Sequence, residues 1–256
     1  MPTETVCPKC EGTGWIIHER AHLSGAEPCE CRAQNRAAHL EDRAQIPPLY
    51  LHASLDNFVV PGPENPIARR ELTSVRLAVW NYIRDFPNDA RPGLLLIGEP
   101  GTGKTHLAVA AMRKILEKGF ECLFCDYQNL LDRIRSGYDA NSNSADKEAY
   151  RVALDSPVLL LDDLGAHRVT DWVEDTVTSI VTHRCNNRKA LIATTNLPEG
   201  DAGNVRKESS AIGQPEYRTT LAERIGARAR SRLFEMCTVV RMPLVEDYRL
   251  RKARTF

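Results

Sequence analysis

Long apolar runs, a secretory leader and an excess of either charge are all missing from this 256-residue sequence, and each absence excludes a class of protein. No run approaches the roughly 20 consecutive apolar residues that a membrane-spanning helix needs. Residues 1–30 are polar and carry cysteines, unlike the charged start and apolar stretch of a secretory signal. The expectation is a cytoplasmic protein with no membrane partner. Lys plus Arg and Asp plus Glu both number 34, so global charge does not point to nucleic acid and any such surface must come from local clustering. Disorder is not expected, because 42% hydrophobic content supports one full α/β domain and a small appendage.

What the sequence does contain begins with eight cysteines, which in a reducing compartment read as metal ligands or buried thiols rather than disulfides. Cys7-Pro-Lys-Cys10 and Cys29-Glu-Cys31 form two close pairs joined by a loop. Two such pairs close a tetrahedron around Zn2+, and four sulfur ligands leave no open position for chemistry, so the zinc would be structural. A segment this short cannot bury its own core, and metal binding would supply its folding free energy. The alternatives are a redox pair or uncommitted thiols. His18 and His22 lie between the pairs and read as solvated. Cys122 and Cys125 form a second Cys-x-x-Cys, but on a strand residues three apart point to opposite faces, so they read as buried thiols. Cys185 and Cys237 are read the same way.

Leu94–Thr105, LLLIGEPGTGKT, is an apolar run leading into a glycine-rich loop that fits GxxxxGKT. Gly98, Gly101 and Gly103 let the backbone curl so that successive N–H groups point at phosphate oxygens, with Glu99, Pro100 and Thr102 between them and His106 just after. The helix that follows adds partial positive charge at its N-terminus. Lys104 adds a full charge for the β- and γ-phosphates, and the Thr105 hydroxyl is a ligand for Mg2+. Downstream, Val158–Asp163 is a buried strand ending in two adjacent acids. An unpaired buried charge is costly, so a cation is expected there: Mg2+ with Asp162, while Asp163 orients or deprotonates an attacking water. Asn196 ends a later strand, where it can contact that water or the γ-phosphate.

Around these motifs, residues 32–45 predict a polar helix ended by Ile46-Pro47-Pro48. A second helix is predicted from about Ile67 to Phe86, and Pro87–Pro92 is a linker. The expected organisation is a zinc-binding module over 1–45, a linker and N-terminal helix over 46–92, and a phosphate-loop domain over 93–256. Strands at Phe120–Cys125, Pro157–Asp162 and Ala190–Thr195 alternate with helices at Tyr127–Tyr138 and Thr170–Asn187, the latter capped by Thr170. Asp139–Lys147 reads as a polar exposed loop. The alternation implies a parallel sheet covered on both faces. The C-terminal part is rich in arginine, at Arg218, Arg224, Arg228, Arg230, Arg232, Arg249, Arg251 and Arg254. Arg224, Arg228 and Arg232 are four apart and share a face if one helix carries them.

GEPGTGKTHLA, LLLDDLG, ATTNLP, and SRLFEMCTVV followed by EDYRLRKA together resemble the DnaC/IstB-like branch of the AAA+ ATPases over roughly residues 50–256. CPKCEGTGW and CEC are similar to the zinc module of loader-like proteins. The resemblance implies an AAA+ P-loop domain with a parallel five-stranded sheet between helices. The strand ending at Asn196 would lie between those bearing the phosphate loop and Asp162. It also implies that Asn196 is a sensor for the water, that Arg228 is an arginine finger with Arg224 and Arg230 as alternatives, and that Arg249 contacts the nucleotide. About fifteen residues follow the last predicted strand, so the lid would be truncated, which favours a nucleotide-gated switch. The implied function is ATP-dependent loading of a replicative helicase onto single-stranded DNA. Slow, DNA-stimulated hydrolysis would take place at sites between subunits of a hexamer or open spiral. The alternatives are a transposition helper ATPase assembling on double-stranded DNA and an adaptor that holds ATP with little turnover.

Overall fold

The structure is a computed structural model that describes residues 7–20, 23–88, 90–138, 144–200, 208–209, 215–216 and 219–253. His22, Arg218, Arg254 and residues 139–143 of the predicted polar loop lie outside them, as does the side chain of Arg251. The chain enters through an antiparallel hairpin, β1 (Trp15–Arg20) and β2 (Leu23–Pro28), with Trp15 opposite Pro28. This corrects the reading of a loop between the cysteine pairs, since Trp15, Ile16 and Ile17 favour a pleated strand. Helix α1 (Glu30–Arg43) starts directly after Cys29, and α2 (Pro66–Asp85) is capped by Asn65, whose side chain accepts from the Ala68 N–H at 3.1 Å.

The main alternation then runs β3 (Gly93–Ile97), α3 (Lys104–Glu117), β4 (Cys122–Asp126), α4 (Tyr127–Ser136), α5 (Ser144–Asp155), β5 (Val158–Asp162), α6 (Asp171–Asn186) and β6 (Ala190–Thr195). Helix α5 was not predicted, and its first turn takes up Ser144–Lys147 of the supposed loop. Its buried face is built from Ala149 and Ala153, one turn apart, an apolar stripe too narrow to stand out beside the polar run before it. The short pair β7 (Glu208–Ser209) and β8 (Pro215–Glu216) follows, then α7 (Leu221–Ile225), α8 (Ala227–Met236), β9 (Cys237–Arg241) and α9 (Tyr248–Ala253). Arg224 does not share a helix with Arg228 and Arg232, because Gly226 separates α7 from α8 at φ 83°. A Cβ there would stand 2.4 Å from the Glu174 carboxylate, so the break requires glycine.

Five strands pair in the order β4-β5-β6-β3-β9, every pair parallel, with β6 between β5 and β3 as the resemblance implied. Successive residues of each strand feed opposite cores. Leu94, Leu96, Leu160 and Ile192 pack with α2 and α3, whereas Leu95, Leu159, Leu161 and Leu191 pack with the layer of α4 to α8. This two-sided burial explains the uninterrupted apolar runs. Cys122 and Cys125 fall one in each core, and burial raises their thiols to about 12 and about 11. Cys237 is fully buried, while Cys185 is only half-buried. Leu40 of α1 and Ala44, just after it, join the first core, and the Ala44 carbonyl accepts from Phe124 N–H at 2.8 Å along the outer edge of β4.

Arg184 is the largest fully buried polar side chain among the described residues. Its guanidinium donates to the carbonyls of Ala153 at 2.9 Å and Ala190 at 2.5 Å and to Ser156 Oγ at 3.3 Å, tying the end of α5 to the start of β6. Burial lowers its pKa to about 10, still leaving it charged at neutral pH. Replacing Arg184 with Met strands these acceptors and should cost about 3 kcal/mol, a drop of roughly 6–12 °C in Tm for a domain of this size. Thermal unfolding followed by circular dichroism checks this; an unchanged Tm would contradict the clamp.

Candidate functional site

Because the sheet is parallel, β3, β5 and β6 all deliver their C-terminal ends to one edge, and the loops there line a single cleft of about 810 Å3. The loop after β3 curls through positive φ at Gly101 and Gly103, and Gly103 opens α3 with no side-chain cap. The first N–H groups of α3 therefore face the cleft without a capping side chain, the arrangement suited to an anion. A Cβ on Gly103 would stand 2.6 Å from the Phe58 ring, so the loop and the wall beside it are packed to contact. Pro100 to His106 line the cleft, whereas Gly98 and Glu99 support it from behind. Gly98 N–H donates to the Thr195 carbonyl at 3.2 Å, and the Glu99 carbonyl accepts from Thr102 Oγ1 and from Lys104 Nζ, both at 2.8 Å. Burial lowers the pKa of the Lys104 ammonium, opposed by the carboxylates of Asp163 and Asp162.

The two acids separate into different environments. Asp162 is buried, and desolvation pushes its carboxyl above the ordinary range against the hydrogen bonds of Thr194 and Thr105. Thr105 Oγ1 donates to its Oδ1 at 2.9 Å and Thr194 Oγ1 donates to the same oxygen at 2.7 Å. Asp163 stands in the left-handed region at φ 55°, and Asn196 Nδ2 donates to its Oδ1 at 3.2 Å. The expected group of Lys104, Thr105, Asp162, Asp163 and Asn196 is thus brought to one cleft. A hydroxyl and a carboxylate beside a phosphate loop are the hard oxygen donors that Mg2+ takes.

The opposite wall of the cleft carries Tyr50, Asn57, Phe58, Val59, Ala68 and Leu72. Phe58 is buried in the first core and also lines the cleft. Tyr50 and Val59 were missed, since an apolar residue in an irregular stretch carries no pattern that marks it. His106 fastens this wall: its Nε2 donates to the Ser54 carbonyl at 2.8 Å, and its ring lies 5.8 Å from that of Phe58. From the C-terminal side Arg249 lines the cleft, and Tyr248 N–H donates to the Gly101 carbonyl at 3.1 Å.

The structure distinguishes the three candidate finger arginines. Arg224 is half-buried, packs beside Gly165 and donates to the His167 carbonyl at 3.3 Å. Arg230 lies over the Phe234 ring at 5.0 Å. Arg228 is exposed and does not line the cleft of its own chain.

At the other end of the molecule, Cys7, Cys10, Cys29 and Cys31 bring four sulfurs within 4.8 Å of one another. Cys7 and Cys29 are 3.9 Å apart and Cys10 and Cys31 3.3 Å. Four thiolates around zinc at about 2.3 Å stand about 3.8 Å from one another, so the donors fit a tetrahedral ion. Gly14 N–H donates to Cys10 Sγ at 3.3 Å, and Cys10 is lowered to about 7, chiefly by its contact with Cys31. His18 pairs with Glu27 at 2.9 Å in solvent, as its solvated reading implied.

The family described as IstB-like ATP binding protein matches residues 27–230. The chain is 26% identical over 181 residues to the protein YqaM of Bacillus subtilis (strain 168), covering 67% of this chain and 55% of that one. It is 21% identical over 173 residues to the replicative helicase loader DnaC of Escherichia coli (strain K12), covering 65% and 66%. The chain thus spans just over half to about two-thirds of the length of these relatives. A crystal structure of the DnaC helicase loader superimposes with a TM-score of 0.60 at 30% identity, over 77% of this chain and all of that one. The phosphate loop and the paired acids lie within a family match extending over most of the sequence, and the chain belongs to the IstB-like ATP-binding family.

Proposed function

We propose that the chain is an ATPase that loads a replicative helicase onto single-stranded DNA. The observation that carries the hydrolytic part is the convergence of Lys104, Thr105, Asp162, Asp163 and Asn196 on one cleft. Lys104 and the N-terminus of α3 would bind the phosphates of ATP, and Thr105 and Asp162 would hold Mg2+, which neutralises charge on those phosphates. Asp163 and Asn196, hydrogen-bonded to each other, are placed to orient the attacking water. Arg249, reaching in from α9, would sense the bound nucleotide. Arg228 has no role in its own cleft and an exposed side chain, which suits a finger completing the site of a neighbouring subunit in a ring or spiral. The loader role rests on the DnaC relatives. The IstB-like description favours a second reading, a transposition helper that assembles on double-stranded DNA.

In the loader reading, residues 1–45 form a zinc-binding module that docks on the helicase, residues 46–92 connect it, and residues 93–256 hydrolyse ATP. The four sulfurs are the observation behind zinc. Two of them flank Glu30 at the start of α1, whose last turn is built into the ATPase core, so the module would be joined firmly to the engine.

Arg228→Ala should reduce DNA-stimulated turnover on the order of 10^3-fold while leaving ATP binding intact, whereas Lys104→Ala should abolish binding. Mixing the two variants should restore turnover, since each supplies what the other lacks. Steady-state phosphate release and fluorescent-nucleotide binding read both effects, and full turnover by Arg228→Ala would contradict an intersubunit finger. Metal analysis of the purified chain should find one zinc ion, lost in a Cys29→Ser, Cys31→Ser double variant; retention of zinc by that variant would contradict the four-sulfur site.

A further inference from the structure

Thr194 plays no part in the sequence reading, which stops at Asn196, yet it touches more of the acidic turn than any residue assigned a role. Its side chain is fully buried on β6, against the C-terminal end of β5. The hydroxyl donates to Asp162 Oδ1 at 2.7 Å and accepts from Asp163 N–H at 2.9 Å, and the Thr194 carbonyl accepts from Leu164 N–H at 2.8 Å. Three consecutive residues, the last of β5 and the two that follow it, are thus fixed by one residue of the neighbouring strand.

The middle one, Asp163, occupies the left-handed region at φ 55°, which a residue with a Cβ holds only where its surroundings over-determine it. That conformation turns the Asp163 carboxylate toward Asn196. A hydroxyl has one proton to give, and Thr194 commits it to Asp162 Oδ1. Thr105 donates to the same oxygen, and among the described residues no hydrogen bond falls on Oδ2. Thr195, the next residue, shows what a purely structural hydroxyl does here. It donates to the Leu164 carbonyl at 2.8 Å, accepts from Leu197 N–H at 3.2 Å, and touches no carboxylate.

We propose that Thr194 is a positioning residue for nucleotide hydrolysis: its hydroxyl orients Asp162 and holds the left-handed turn at Asp163, so both carboxylates are set relative to the phosphate loop before nucleotide and metal arrive. This rests on the ATPase reading above. Asp162 then keeps Oδ2 free for the cation, and Asp163 keeps its geometry to Asn196 without reorganising at the moment of reaction.

Thr194→Val keeps the branched shape and removes the hydroxyl; Thr194→Ser and Thr194→Ala match each other in bulk and differ in the hydroxyl alone. Turnover, fluorescent-ATP affinity against Mg2+ concentration, and Tm are measured on each. Val and Ala should lower kcat about 10–100-fold and raise the half-saturating Mg2+ about tenfold, with KM for ATP little changed, while Ser stays within about threefold of the parent. If Val fails to fold, the Ser and Ala pair carries the test. Equal behaviour of Ser and Ala, or a loss confined to KM, would overturn the proposal. A parent chain that binds ATP and never hydrolyses it would remove the ATPase reading instead, and Thr194 is then judged on the Mg2+ titration of binding, where an Ala variant matching the parent contradicts it.

Discussion

Asp162 is a carboxylate at the end of a strand buried on both faces, and the surroundings are arranged around the cost of keeping it there. An isolated buried charge would simply take a proton, and the raised pKa of Asp162 shows that pressure. Thr105 and Thr194 oppose it with hydroxyl donors from the first turn of α3 and from β6, so the acid ties the phosphate-loop helix to β6. A divalent cation would complete the compensation, which makes the site better satisfied when loaded than when empty.

This explains why the strand order matters more than the number of strands. Placing β6 between β5 and β3 lets one short segment, Thr194 to Asn196, reach the acids on one side and the phosphate loop on the other. Thr195 links the phosphate loop to the residue that follows the acids, accepting from Gly98 N–H through its carbonyl and donating through its hydroxyl to the Leu164 carbonyl. The C-terminal segment is joined to the same loop, Tyr248 N–H donating to the Gly101 carbonyl.

Much of this was legible because it repeats a pattern. Four of the five strands announce themselves as apolar runs, the fifth coming only from the family resemblance, and the loop, the acid pair and Asn196 each follow one directly. What escaped lacks such a signal. Helix α5 hides its alanine stripe behind a polar run, and arginines four apart suggested one continuous helix where Gly226 makes two. Arg184 reads as an ordinary surface arginine until the fold closes over it, and nothing local distinguishes it from Arg188. Thr194 is invisible for a different reason: threonine favours strands anyway, so a hydroxyl committed to a carboxylate is indistinguishable from strand propensity. The wall facing the phosphate loop is assembled from the irregular stretch around Phe58 and from α2, and only tertiary packing brings Phe58 against Gly103.

In the function proposed above, an ATP-operated site in this chain would govern its hold on a replicative helicase. Light scattering of the purified protein mixed with its host's replicative helicase, in ATP and in ADP, tests that most directly. The account predicts a stoichiometric complex whose lifetime changes with the nucleotide. No complex in either nucleotide, together with assembly on duplex DNA in ATP, would contradict it and favour the transposition helper.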